Sequence, residues 1–140
     1  MTESLVNRCQ SLPAGSTLCI LGAGFSGRRL AALAEALNIR VLTTSRNPDP
    51  ESRDLRFDTA QNLIPTDAEL DGVTHLLSTI PPGRDQNDPV LRTLGPQLRQ
   101  LPLRWAGYLS TTGVYGDTEG AWVSAVSYTH LRAHETKANL

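Results

Sequence analysis

Three glycines in the order G-x-G-x-x-G follow an apolar segment at residues 17–21 and precede a segment with helical periodicity. Between a strand and a helix, this spacing is the fingerprint of dinucleotide binding. The first glycine permits the tight turn, the second lets the backbone approach a pyrophosphate, and the third lets the helix pack closely. Free N–H groups at the helix start then face the phosphates. The loop residues expected to bind the cofactor are Gly22, Gly24, Phe25, Ser26 and Gly27.

Strand-like and helix-like segments alternate along the chain. Strands are predicted at residues 17–21, 39–44, 55–57, 73–79 and 105–110. Helices are predicted at 26–37, from apolar residues on one face, and at 88–100, from Asp88-Pro89 at its start, with a kink at Gly95-Pro96. Apolar strands alternating with helices indicate an α/β fold with a parallel sheet covered on both faces. We expect a truncated doubly wound Rossmann sheet with strand order 3-2-1-4-5.

Composition and charge exclude several classes of protein. A chain of 140 residues is expected to form one domain, and its net charge of -1 argues against strong attraction to nucleic acid or an anionic membrane. No apolar stretch approaches the ~18 residues of a membrane span, and the N-terminus lacks the apolar centre of a signal peptide. We expect a soluble cytoplasmic protein with reduced Cys9 and Cys19 and a small-molecule substrate. Its oligomeric state is not indicated.

The end of the second predicted strand bears on the choice of cofactor. An NAD site usually places Asp or Glu about 20 residues after the glycines, to accept from the ribose 2′-OH. Here Ser45 and Arg46 lie in that region, and no carboxylate comes before Asp49. Arg46, with Arg28 as a second candidate, can pair with a 2′-phosphate, which favours NADP while leaving NAD possible. The alternative is that both arginines are solvated surface groups.

Two further polar positions follow predicted strands. Asp58 comes after the third strand, where a carboxylate can meet the adenine edge, and Thr79 ends the fourth strand together with Ser78, where a hydroxyl can meet the ribose or phosphate. Each has a plainer alternative. Asp58 can form a turn, and the hydroxyls can bond local backbone.

The fifth predicted strand leads into Leu-Ser-Thr-Thr-Gly-Val-Tyr-Gly-Asp at residues 109–117. Together with the glycine fingerprint, this segment resembles the extended short-chain dehydrogenase/reductase superfamily, and within it the NAD(P)-dependent epimerase/dehydratase branch. The resemblance covers about residues 17–123. It implies that Thr111, four residues before Tyr115, is the catalytic Ser/Thr, and that a nicotinamide cofactor exchanges hydride with a carbon of a small polar or sugar-like substrate.

The Tyr-x-x-x-Lys acid/base pair of that family is not matched. Tyr128 comes too early and has Arg132 where the family has Lys, and arginine does not release its proton as lysine can. Some atypical members also lack the pair. The sequence therefore favours an oxidoreductase or epimerase/dehydratase that is catalytically incomplete. A non-catalytic NADP-binding sensor or regulatory protein is the alternative, and an unstable fragment is a third possibility.

Residues 126–140 differ in composition from the rest of the chain and resemble a peptide translated from sequencing-adapter DNA. We therefore expect an N-terminal extension at 1–16, an incomplete nucleotide-binding domain at 17–123 and a foreign or disordered tail at 124–140. A natural short variant with its own C-terminal helix is the alternative. His130 and His134 have the spacing of one helix face but not the H-E-x-x-H order, so no metal site is expected.

Overall fold

The computed structural model describes residues 11–83, 87–109 and 117–124. The chain divides into two compact units, Met1–Leu109 and Ser110–Leu140. The first unit contains five strands, β1 (Thr17–Leu21), β2 (Arg40–Ser45), β3 (Leu55–Arg56), β4 (His75–Ser78) and β5 (Trp105–Tyr108). They form one parallel sheet in the order β3-β2-β1-β4-β5. The predicted α/β fold and strand order are confirmed.

The central strand β1 is buried along its whole length. Its alternate side chains enter two separate cores, as expected of a strand covered on both faces. Leu18 and Ile20 pack with Ala31 and Ala34 of the first helix. Cys19 and Leu21 enter the larger core on the opposite face, whose other members are Phe57, Leu70, Val73, Leu76, Val90, Leu94 and Leu98. The glycine loop that follows β1 therefore starts from the best-packed part of the sheet.

Among the described residues, three helices cover the sheet, α1 (Phe25–Ala36), α2 (Asp67–Leu70) and α3 (Pro89–Leu98). The start of α3 is as predicted: the Asp88 carboxylate accepts hydrogen bonds from the N–H groups of Val90 (2.8 Å) and Leu91 (3.2 Å), and Pro89 takes the first helical position. The helix continues through Pro96 and ends two residues earlier than predicted.

The short helix α2 was not predicted from the sequence. Thr66 and Glu69 form a reciprocal capping box in which the Thr66 hydroxyl accepts from Glu69 N and the Glu69 carboxylate accepts from Thr66 N. That pattern is visible as T-x-x-E in the sequence. Four residues are too few for an apolar periodicity, so the cap is the signal that could have identified the helix.

Strand limits differ slightly from prediction. The structure gives β4 as His75–Ser78 within the predicted 73–79, and β5 ends at Tyr108, whereas the predicted strand ran to a residue outside the described ranges. Within the described ranges, no helix has the length and apolarity needed to cross a membrane.

The second unit is described only at residues 117–124. Asp117 accepts a hydrogen bond from Glu119 N at 2.9 Å, and Thr118 bonds Ala121 through backbone and side chain. Glu119 and Gly120 have positive φ angles of 53° and 81°, which is typical of a tight turn.

Candidate nucleotide-binding site

The candidate site lies at the carboxyl end of the sheet. There the chain leaves β1 at Leu21, turns through Gly22 and Ala23, and enters α1 after its N-cap residue, Gly24. The ends of β2 and β4 flank this turn, because β1 pairs with both strands. In open α/β sheets, ligands bind in the crevice outside the carboxyl ends of the strands.

Gly22 is required by both backbone conformation and space. Its φ of +88° is in the region that side chains with a Cβ rarely adopt. A Cβ at this position would also lie 2.8 Å from Thr79 Oγ1 and 2.9 Å from Ile80 Cγ1. The tight turn expected of the first glycine of the fingerprint is therefore present.

The other two glycines differ in their surroundings. A Cβ on Gly27 would lie 3.0 Å from the carbonyl oxygen of Gly22 and 3.1 Å from Ile20 Cγ2, so Gly27 allows α1 to pack against the strand and loop. A Cβ on Gly24 would meet nothing within 4 Å. Gly24 is the N-cap residue of α1, a position that favours glycine over alanine, and the open space beside it also fits the close approach of a ligand phosphate.

Most N–H groups of the loop are already used inside the protein. Gly22 N donates to Thr44 Oγ1 (3.0 Å), Ala23 N to the carbonyl oxygen of Thr44 (2.7 Å), and Gly24 N to that of Gly22 (2.8 Å). The start of α1 has no side-chain cap. The exposed Phe25 and Ser26 therefore present the N–H groups that can bind an anion here.

Thr79 lies beside this loop, but its hydroxyl faces the backbone. Thr79 Oγ1 donates to the carbonyl oxygen of Leu21 at 3.3 Å and to that of Gly22 at a shorter distance. The hydroxyl therefore bonds backbone, but the backbone is that of β1 and its turn, 58 and 57 residues away, and not the local backbone that the sequence offered as the alternative to cofactor contact. Ser78 bonds local backbone, since its hydroxyl accepts from Ile80 N.

Arg28, in the first turn of α1, is paired with a carboxylate. Its guanidinium donates to Asp54 Oδ2 at 2.7 Å, and the Thr43 hydroxyl donates to Asp54 Oδ1 at 2.6 Å. The Asp54 side chain is only 3% exposed, whereas that of Arg28 is 55% exposed. Burial raises the pKa of the Asp54 carboxyl, but the hydrogen bonds from Thr43 and Arg28 and the charge of Arg28 outweigh this effect, so the pKa lies below its ordinary value.

Ser45 and Arg46 lie at the end of β2. The Ser45 hydroxyl oxygen is buried close to the Asp54 carboxylate, whose pKa it helps to lower. Arg46 is exposed and, among the described residues, forms no ion pair. An exposed guanidinium that forms no ion pair with the described residues fits a phosphate ligand.

Asp58 is buried and committed to its own turn. One carboxylate oxygen accepts from Ala60 N (2.9 Å) and Gln61 N (3.4 Å), and the other accepts from Gln61 Nε2 (2.9 Å). Its backbone also pairs with Leu63. The structure therefore gives Asp58 the turn-forming role, and contact with an adenine stays a prediction.

Several predicted features lie outside the described residues. These are Thr111 with its neighbour Tyr115, the pair His130 and His134, and Cys9. Over the described ranges, no group of three or more His, Cys, Asp or Glu side chains could hold a metal ion.

Two residues of the site were missed in the sequence, Thr44 and Asp54. Thr44 is an ordinary strand threonine whose importance comes from the loop that returns to it. Asp54 follows Arg28 by 26 residues in the chain. It lies close to Arg28 because the strand that follows it, β3, pairs with β2. This carboxylate comes from the residue that precedes the neighbouring strand β3, and not from the end of β2, where a ribose-binding carboxylate was expected.

No protein-family model matches the chain, and no curated protein matches it. Solved structures do. A functionally unknown conserved protein from Silicibacter pomeroyi is 36% identical over 84% of this chain, with a TM-score of 0.62. A nucleoside-diphosphate sugar epimerase from Corynebacterium glutamicum is 21% identical over 99% of the chain, with a TM-score of 0.55. MoeE5, solved with UDP-glucose and NAD, is 18% identical over 84%, with a TM-score of 0.53.

The chain spans 46%, 35% and 47% of these three proteins, about half of their length or less. The two functionally described proteins share less than a quarter of their residues with this chain, so the likeness to them concerns the fold. Together with the parallel sheet of order β3-β2-β1-β4-β5 and the glycine turn after β1, it establishes a Rossmann-like α/β fold.

Proposed function

We propose that this chain is the nucleotide-binding part of an oxidoreductase or epimerase/dehydratase and that it binds a nicotinamide dinucleotide at the glycine loop. The observation that carries the proposal is the loop geometry. Gly22 makes the turn, open space lies beside Gly24, and the uncapped start of α1 presents N–H groups to that space. Such a helix start attracts a pyrophosphate through its N–H groups and its dipole.

NADP is the proposed cofactor, in preference to NAD. Arg46 supports this preference because its guanidinium is exposed at the end of β2 and can pair with a 2′-phosphate in a bidentate way. Arg28 supports it less than the sequence suggested, because Asp54 already occupies its guanidinium. When bound, the nicotinamide supplies or accepts a hydride, and the protein supplies binding and orientation.

A small polar or sugar-like substrate is part of the same proposal, with Thr111 as the residue that polarises its reacting oxygen. Two solved structures of similar fold are a nucleoside-diphosphate sugar epimerase and a protein solved with UDP-glucose and NAD. A non-catalytic sensor of the nucleotide is the second candidate, and the mismatch of Tyr128 and Arg132 with the family's Tyr/Lys pair favours it. Both candidates bind the nucleotide, and only the first transfers hydride.

Calorimetric titration of the purified chain with NADPH and NADH tests the proposal. Wild-type protein is expected to bind both and to prefer NADPH. Replacing Arg46 with alanine removes charge-assisted hydrogen bonds, so NADPH binding is expected to weaken by about 10-fold or more while NADH binding changes by less than about twofold. Arg40→Ala is the matched control, because Arg40 is an exposed arginine at the opposite end of the same strand.

Two results would contradict these statements separately. A folded wild-type protein that binds neither nucleotide overturns the proposed cofactor. Equal weakening of NADPH and NADH by Arg46→Ala, or equal effects of Arg46→Ala and Arg40→Ala, overturns the assignment of Arg46 to the 2′-phosphate.

A further inference from the structure

Two threonines hold the glycine loop from opposite sides. Thr44 lies on β2 and Thr79 directly follows β4, the two strands that flank β1. Thr44 is fully buried, and the Cβ space of Gly22 is filled by Thr79 Oγ1. The turn at Gly22 is therefore held between the two threonine side chains.

The bonds fall on the two peptide units that meet at the Gly22 α-carbon. In the unit before it, Gly22 N donates to Thr44 Oγ1 (3.0 Å), and the Leu21 carbonyl accepts from both the N–H (2.9 Å) and the hydroxyl (3.3 Å) of Thr79. In the unit after it, Ala23 N donates to the Thr44 carbonyl (2.7 Å), and the Gly22 carbonyl accepts from Thr79 Oγ1. Each unit is thus bonded to Thr44 at its N–H and to Thr79 at its carbonyl.

A glycine turn without such bonds is free to rotate its peptide units, because glycine has the fewest backbone restrictions of any residue. Rotation here would change the direction in which the chain enters α1 and so move the N–H groups of Phe25 and Ser26. Binding that must first order a loop is weaker, because the ordering costs conformational entropy.

We propose that Thr44 and Thr79 are positioning residues of the nucleotide site, which fix the glycine loop in its binding conformation before the ligand arrives. The inference rests on the proposed function for its ligand, but not for its effect on the loop. It assigns Thr79 a role through the backbone instead of through contact with the cofactor, and it adds Thr44, which no sequence motif marks.

Thr74 provides a matched control at the far end of the same strand pair. It is buried, its hydroxyl accepts from Thr17 N (3.0 Å) and donates to the Thr17 carbonyl (3.3 Å), and it lies next to the amino end of β4. Thr74→Val therefore removes a buried hydroxyl that joins the start of β4 to β1. Thr79→Val removes one that joins the end of β4 to β1.

The experiment compares Thr44→Val, Thr79→Val and Thr74→Val with the serine variants of Thr44 and Thr79, which keep the hydroxyl. Each of the first two valine variants is expected to weaken NADPH binding by about 5- to 10-fold, while the serine variants and Thr74→Val stay within about twofold of wild type. In the ligand-free protein, hydrogen exchange of the Gly22 amide is expected to accelerate by about 10-fold or more in Thr44→Val, with the Cys19 amide unchanged.

The inference is overturned if Thr74→Val weakens NADPH binding as much as the loop variants do, because general destabilisation then explains the loss. It is also overturned if the Gly22 amide exchanges at the same rate in Thr44→Val and wild type. A wild-type chain that binds no nucleotide defeats the proposed function instead. In that case the amide exchange still decides whether the threonines order the loop.

Discussion

At the scale of single residues, the glycines of the loop differ in how strongly the fold requires them. Gly22→Ala is expected to lower the free energy of unfolding by about 2 kcal/mol or more, because its positive φ and the contact with Thr79 both oppose a Cβ. Gly24→Ala is expected to lower stability less, by about 0.5–1 kcal/mol, since its Cβ would enter open space and only the preference of the N-cap position for glycine over alanine is lost. Urea unfolding measures both values.

Nucleotide titration of the same two variants completes the comparison. Gly24→Ala is expected to fold normally and to bind NADPH more weakly, because its methyl group occupies space that a phosphate needs. If Gly24→Ala binds NADPH as well as wild type does, the space beside Gly24 is not the phosphate site.

The turn at Gly22 and the close packing at Gly27 were predictable, because the spacing of glycines between a strand and a helix is a local pattern. The partners of Arg28 and Gly22 were not predictable in the same way. Strand pairing brings Asp54 to Arg28 and Thr44 to Gly22, at separations of 26 and 22 residues along the chain. The sequence pattern of one segment does not show which residues its neighbour in the sheet will bring beside it.

At the scale of elements, Asp54 joins the first turn of α1 to β2 and gives this connection a pH dependence. Its pKa is lower in the folded than in the unfolded chain, so the unfolded chain takes up the proton first as the pH falls. The contribution of Asp54 is therefore fully present above the ordinary Asp pKa of about 3.9 and is lost progressively below it.

Asp54→Asn tests this connection. The variant is expected to be about 1 kcal/mol less stable than wild type at pH 7, a modest value because Arg28 is more than half exposed to screening solvent. The difference should shrink as the pH is lowered through about 4. Urea unfolding at several pH values measures it, with Asp49→Asn as the control on an exposed loop. A difference in the free energy of unfolding between wild type and Asp54→Asn that stays constant with pH would contradict the ionic role of Asp54.

The N-cap of α3 is a second test at this scale. Asp88→Ala removes the acceptor of two backbone N–H groups and is expected to lower stability by about 1 kcal/mol. Glu35→Ala, an exposed carboxylate on α1, is the comparison and is expected to change stability by less than about 0.5 kcal/mol. Thermal unfolding of both variants gives the difference, and equal melting temperatures would show that the cap contributes nothing.

Element types were predictable where a long pattern and a start signal agreed. The helix after the glycines and the helix after Asp88-Pro89 are both found, with ends within two residues of prediction. The helix α2 had only a capping box, and β3 is short because only two of its residues pair with β2. Short elements depend on tertiary contacts that local sequence does not contain.

At the scale of the whole molecule, strand order followed from the alternation of strands and helices, because right-handed crossovers leave few arrangements of five parallel strands. The alternation of strands and helices does not predict how the core is divided. Alternate residues of β1 separate two apolar clusters, one beneath α1 and the other beneath α2 and α3. Only the completed sheet assigns each residue of β1 to one of them.

Cys19, at the centre of β1, reports on the opening of the core beneath α2 and α3, which contains its side chain. The residue has no solvent exposure, and burial raises the pKa of its thiol to about 12. Thiol reagents attack the thiolate, so the folded chain protects Cys19 both by exclusion and by keeping it protonated. Because the unfolded thiol ionises above about pH 8.5, stability is also expected to fall as the pH rises beyond that value.

In a Cys9→Ser variant, labelling of Cys19 by a disulfide reagent at pH 8 is expected to be at least about 10³-fold slower than in the same variant unfolded in urea. The rate measures the free energy of opening, because reaction requires β1 to separate from the apolar layer that contains the Cys19 side chain. Val41→Ala on one side and Leu94→Ala on the other remove apolar contacts from each core. If the layers open together, both variants accelerate labelling in proportion to their loss of stability. If only Leu94→Ala does so, the layer beneath α2 and α3 opens independently of the layer beneath α1.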